Sequence, residues 1–262
     1  MSVSADRSEE RAQAAAYLLG LADDALVYAQ RLGEWMTKAP QIEEDMALGN
    51  IALDLLGQAR ALYPHVGELD GTGRGEDDFA MLRHEREFRN VHLVEQERGD
   101  FAQEMARLLW FSAYQVELHR SLGGASDDVV HGVGEKAVKE VRYHLDHARQ
   151  WVVRLGDGTD ESHRRMQAAL EWVAPYVDEL FDDDPVSLAA LGDGSVGVHS
   201  PAALRAGAQH VVELTVAQAT LTMPEPPAWR SRGGRDGIHS RPMGYLLAEL
   251  QHVARSHPGA TW

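Results

Sequence analysis

The chain contains no cysteine, which excludes disulfides, thiolate-bound metals and cysteine nucleophiles together. That absence suits a reducing cytoplasm, where the protein is expected to reside. Also missing is any run of 18 or more apolar residues, so no membrane-spanning helix is expected. The opening MSVSADRSEERAQ has mixed charge and no apolar core of signal-peptide length. Positive charge is scarce: 25 Lys and Arg stand against 41 Asp and Glu, a net charge of −16. Such a balance repels phosphate backbones and anionic lipid, and argues against nucleic acid or a membrane as partner. No stretch alternates apolar and polar residues for the length of a strand, and no short period repeats.

What remains is helical. Ala14, Leu18, Leu21, Ala25, Tyr28, Leu32 and Trp35 recur at gaps of four and three, one face of a helix ending before Pro40. Leu48, Ala52, Leu55, Ala59, Leu62 and Val66 continue the rhythm after a short link, which predicts an antiparallel neighbour. The acidic, glycine-rich GELDGTGRGEDD at 67–78 reads as a loop, followed by a short amphipathic piece from Phe79 to Phe88 whose aromatics are a candidate partner-binding surface. A third long helix is predicted from Phe101 to Leu122 and closed by GGAS; a fourth runs from about Asp127 to Leu155. Further helices are expected at about 160–181, 201–220 and 241–256. The fold class is therefore all-α: residues 1–10 flexible, then one helical domain over 11–262. That domain is a four-helix bundle (11–155) with additional C-terminal helices (156–262) packed on it.

Within KEVRYHLDHARQW, residues 139–151, Glu140, His144, His147 and Trp151 lie along one helical strip, and Asp54 and Gln58 repeat the acid-plus-polar spacing on the second helix. Ferritin-like dinuclear proteins set a Glu from each of two helices beside a Glu-x-x-His pair from each of the other two, the carboxylates bridging two cations and each imidazole completing one coordination sphere. The acids nearest those places are Asp24, Asp54, Glu104 and Glu140, with His144 as the one available imidazole. Three residues after Asp54 stands Gly57, and three after Glu140 stands Tyr143, so neither half contains the motif. The plainer reading of these polar positions is a buried hydrogen-bond network that fixes helix register. RSRGGRDG at 230–237 joins glycines to arginines without P-loop spacing and reads as a surface turn, though its arginines could reach an anionic ligand. ELFDDD at 179–184 reads as a solvated, fraying helix end. Isolated histidines such as His65, His119 and His210 read as surface or core residues.

The strings DDALVYAQRLGEW, NIALDLLGQAR, EKAVKEVRYHLDHARQWVVRLGDGTDES and GGRDGIHSRPMGYLLAELQ, in this order from about Tyr17 to Trp262, resemble the C-subunit family of the bacterial phenylacetyl-CoA epoxidases. The resemblance implies a ferritin-like bundle and a structural, non-catalytic role in a multicomponent monooxygenase. It implies a catalytic A subunit as partner, holding the di-iron centre and the thioester, together with a small B subunit and, transiently, an NADPH-dependent reductase. No residue of this chain is expected to be catalytic, and no cofactor is expected in it. Asp24, Asp54, Glu104, Glu140 and His144 are the positions a vestigial site would use, and the ones to examine if the chain is instead itself a dinuclear oxidase.

Overall fold

The computed structural model describes residues 2–192 and 194–260, with side chains from residue 8 onward, and no strand occurs among them. The chain forms two compact units, one from Met1–Glu97 with Gly233–Trp262 and the other from Arg98–Arg232. The four long helices expected as one bundle fall two in each unit.

In the first unit α1 (Ser2–Gly33) and α2 (Ile42–Leu69) are the principal pair. Their antiparallel register follows from two bonds: Arg11 donates to the Glu68 carbonyl and the Tyr63 hydroxyl to Asp23, so rising numbers on α1 meet falling numbers on α2. The α1 stripe from Ala14 to Trp35 is buried throughout, as are Leu48, Leu55, Ala59, Leu62 and Val66 of α2; Ala52 is half-buried. After α2 the chain passes through a turn with Gly71 and Gly73 at positive φ, then a short α3 (Glu76–Met81) and an irregular stretch holding the single turn α4 (His92–Glu95). Phe79 and Phe88 are completely buried. They are core residues of this unit, and the expected surface role is corrected: both rings pack near the Arg83 guanidinium, 5.6 and 4.1 Å from the centroids.

The second unit is built on α5 (Phe101–Leu122), buried on nearly every side, and α6 (Asp128–Gly156), whose apolar stripe from Val130 to Val152 is buried. Asp100 caps α5 through the Gln103 amide, and Asp127 caps α6 through the amides of Val129 and Val130. The glycines after α5 serve a different purpose from the expected left-handed stop, because Gly123 is right-handed (φ −62°). A Cβ on Gly134 would stand 2.4 Å from the Gly123 nitrogen, so backbone contact between the end of α5 and the start of α6 demands glycine there. Helices α7 (Asp160–Val177), α8 (Pro185–Ala190) and α9 (Pro201–Gln218) complete the unit, while α10 (Arg241–Ser256) belongs to the first.

The stretch 179–184 is not a solvated helix end. Glu179, Leu180 and Phe181 are buried, and Asp178 just before them holds Arg205 and Arg230 at 2.7 and 2.8 Å. Asp183 and Asp184 cap α9 and α8 by accepting from backbone amides. The aspartates of this stretch, which read as frayed repulsion, are helix caps and an ion-pair partner.

Candidate functional site

Each acid expected at a dinuclear site has a position within its own unit. Asp24 on α1 is buried; its Oδ1 accepts from the Val91 amide at 2.8 Å and its Oδ2 from Arg235 at 2.6 Å. Burial pushes its carboxyl up to about 6, against the pull of the Arg235 charge and the two hydrogen bonds. The Arg235 guanidinium also donates to the carbonyls of Gly20 and Arg89, both at 2.8 Å. It is therefore a fastening between the C-terminal segment and α1, which corrects the idea that this arginine is available to a ligand. Arg230 pairs with Asp178, and Arg232 lies 3.9 Å from Asp182 at the surface.

Next to it, Asp23 carries a denser set of bonds that the sequence did not single out. It accepts from both terminal nitrogens of Arg83, from the Tyr63 hydroxyl at 2.7 Å and from the Arg89 amide at 2.8 Å. Adjacent aspartates at 23 and 24 facing a short irregular segment were the available signal, since two buried carboxylates require donors that a regular helix cannot supply.

Asp54 on α2 is half-buried. On α5, Glu104 is completely buried, 3.9 Å from the equally buried Arg107. On α6, Glu140 is only partly covered, 3.4 Å from Lys136, whereas His144 is completely buried. Tyr143 stands 54% exposed, and a Cβ at Gly57 would meet open space.

Positions 57 and 143 thus face outward, and the residues there say nothing about what either helix presents to its core. One residue later each helix has a buried pair at spacing three: Leu55 with Gln58 on α2, and Val141 with His144 on α6. In both of these pairs the place a Glu-x-x-His motif gives to its acid is held by an aliphatic residue, and of the two only the α6 pair has an imidazole, His144. One residue is 100° of helix, which separates a flank from a centre line.

Of the histidines read as surface or core residues, His119 is a core one. His119 on α5 is buried with neither ring nitrogen hydrogen-bonded, and burial, helped by the neighbouring His144, lowers its pKa to about 3. Its spacing from Ser112 and Val116, four and then three, places it on the buried stripe and was legible.

Chemically, these positions comprise Asp24 and Glu104 each beside an arginine, Glu140 beside Lys136, and the two buried histidines His119 and His144. This is an all-helical protein with buried carboxylates on α1 and α5 that lie beside buried or partly buried arginines. The chain belongs to the family described as phenylacetic acid catabolic protein, whose model matches residues 2–262. It is similar to the C component of the 1,2-phenylacetyl-CoA epoxidase of Escherichia coli (strain K12), at 43% identity over 250 residues, covering 95% of this chain and 99% of that protein. The all-α fold agrees with the ferritin-like class that the family implies. No helix among the described residues is long and apolar enough to cross a membrane.

Proposed function

We propose that this chain is the non-catalytic structural subunit of a phenylacetyl-CoA ring-epoxidising oxygenase in the aerobic degradation of phenylacetate, pairing with and stabilising the catalytic subunit that holds a di-iron centre. The observation that carries this reading is the pair of aliphatic residues, Leu55 and Val141, at the buried positions three before Gln58 and His144. Without an acid at either, these two positions do not supply the bridging negative charge that two adjacent cations need. Asp24 supports it further, because its carboxylate is already neutralised by Arg235.

The outer side of α2 supports a protein partner. Ile42, Met46 and Leu53 are exposed there, and they share that side with Gly49 and Gly57, where an added Cβ would meet open space. Large aliphatics left in water beside glycines that allow close backbone approach suit a helical face of the catalytic subunit.

The test is co-expression with the catalytic subunit, sizing of the complex and iron counting per chain. Co-elution is expected, with iron following the partner and none stoichiometric on this chain alone. Two redox-active ions per isolated chain, or loss of activity in the reconstituted complex on replacing both Glu140→Gln and His144→Phe, would favour the dinuclear oxidase instead.

A further inference from the structure

The irregular segments of the first unit bring together a group of side chains that plays no part in the pairing proposed for this chain. The single turn α4 sets His92 and Glu95 three apart on one face, and the stretch before α10 supplies His239. One ligand atom from each lies within 4.8 Å of the others. The Glu95 and His239 side chains are completely buried and that of His92 is 9% exposed.

We propose that His92, Glu95 and His239, with the Asn90 side-chain oxygen as fourth ligand, form a closed mononuclear site for a borderline divalent cation of the zinc type. Two imidazoles and a carboxylate are the donors such an ion takes, and a site closed to solvent is a structural one.

Three further observations support the assignment. Asn90 is fully buried; its Nδ2 donates to Glu95 Oε2 at 2.9 Å, while its Oδ1, on the same amide, has no hydrogen-bond partner. An orphaned buried oxygen beside a carboxylate is destabilising unless something positive approaches it. His239 Nε2 donates to the Phe88 carbonyl at 3.1 Å, the outer contact that orients a ligating imidazole and directs Nδ1 at Glu95. Finally, the spacings bracket those of a coordinated ion. His239 Nδ1 is 2.7 Å from Glu95 Oε2 and His92 Nε2 is 4.0 Å from Glu95 Oε1. Ligand atoms at about 2.0–2.1 Å from a tetrahedral zinc stand roughly 3.3 Å apart, so these two separations each lie within about an ångström of that value.

Protons now hold the place of the cation. One lies between His239 Nδ1 and Glu95, and another between His92 Nε2 and the Ile238 carbonyl at 2.6 Å. On binding, the His239 proton leaves to solvent, and the His92 proton passes from Nε2 to Nδ1, which frees Nε2 for the ion. The charged groups facing the site are Glu85, which adds negative potential at His239, and Arg31, which binds the Glu95 backbone carbonyl at 2.8 and 3.0 Å. The ion would join segments 90–95 and 238–240, far apart in the chain. This proposal does not depend on the chain's role in an oxygenase, and none of Asp24, Asp54, Glu104, Glu140 or His144 takes part.

The experiment uses the full chain, stripped with a chelator, then titrated with Zn2+ by equilibrium dialysis and with Co2+ by visible absorbance. One Zn2+ per chain is expected, with the intense absorption of four-coordinate Co2+, a raised melting temperature, and an affinity that increases up to about tenfold per pH unit while His239 is protonated. Glu95→Gln and His239→Gln should both abolish stoichiometric binding. Asn90→Ala, a milder change, should weaken it while the helical circular dichroism persists. If wild type shows no saturable uptake and only the spectrum of hydrated Co2+, the cluster is an ion pair alone and the proposal fails. It fails equally if both Glu95→Gln and His239→Gln bind as wild type does, because the ion then sits on other histidines.

Discussion

Acidification offers a quantitative check on the buried imidazole of α5. His119 titrates at about 3 in the folded chain against 6.5 in the unfolded one, because burial and then His144 oppose its charge. A depressed histidine pKa gives stability that is complete above the unfolded value and is lost as pH falls, since only the unfolded chain takes up the proton. At pH 5 the unfolded imidazole is protonated and the folded one is not. The loss is then about 1.5 pH units at ~1.4 kcal/mol each, or about 2 kcal/mol relative to neutral pH. For a chain of this size that is a fall of roughly 4–8 °C in melting temperature. Other groups move the opposite way. Asp24 and His239, both with raised values, favour the folded state more as pH drops toward 5. The clean measurement is therefore a difference: the melting temperature at pH 7 minus that at pH 5, in wild type and in His119→Leu. Because the leucine neither titrates nor leaves two nitrogens without hydrogen bonds, the variant should fall by about 4–8 °C less than wild type. Parallel pH profiles would refute the assignment of His119 as a buried neutral base.

Other expected outcomes follow from particular contacts. Arg235→Met should destabilise the chain by about 3–5 kcal/mol in urea titrations, because Asp24 stays buried without its guanidinium; a loss of less than 1 kcal/mol would contradict the fastening role. Leu53→Asp, at an exposed site, should change the stability of the isolated chain by no more than about 0.5 kcal/mol, yet weaken pairing with the catalytic subunit at least about tenfold by analytical ultracentrifugation. Gly134→Ala should cost about 1–3 kcal/mol or more through its clash with the Gly123 backbone, whereas Gly49→Ala, facing open space on a helix, should gain about 0.5–1 kcal/mol in thermal melts of the isolated chain.

Much of the helical layout was legible because the determinants are local. Asp100 and Asp127 announce the starts of α5 and α6, and the gaps of three and four identify the stripes that prove buried. Periodicity does not say which stripe meets which. It gave no sign that α10 packs with α1, α3 and α4 or that Arg98–Arg232 forms its own unit, because that choice depends on contacts between residues far apart in sequence. The site was legible only in outline. Acids at 54 and 140 draw the eye because each precedes a polar residue by four, yet the buried pairs begin one position later with Leu55 and Val141, which as aliphatics carry no chemical signal. Asp24 was singled out for a metal and proves to hold Arg235; Phe79 and Phe88, read as a surface, cover the Arg83–Asp23 pair.

The fastening of the first unit by residues 233–256 bears on the order of events during synthesis. Residues 1–97 leave the ribosome first, but Asp24 meets Arg235, Glu95 meets His239, and the carbonyls of Ala80 and Arg83 meet Gln251 only after residues 98–232 have been translated. The second unit is contiguous and has all its helices in hand by Arg232. It can therefore consolidate while α1 and α2 still wait, with unmatched carboxylates, for the last stretch of chain. A nascent protein interrupted near residue 230 would hold one finished unit and one held open for lack of its last stretch, including Arg235, His239, Gln251 and Arg255.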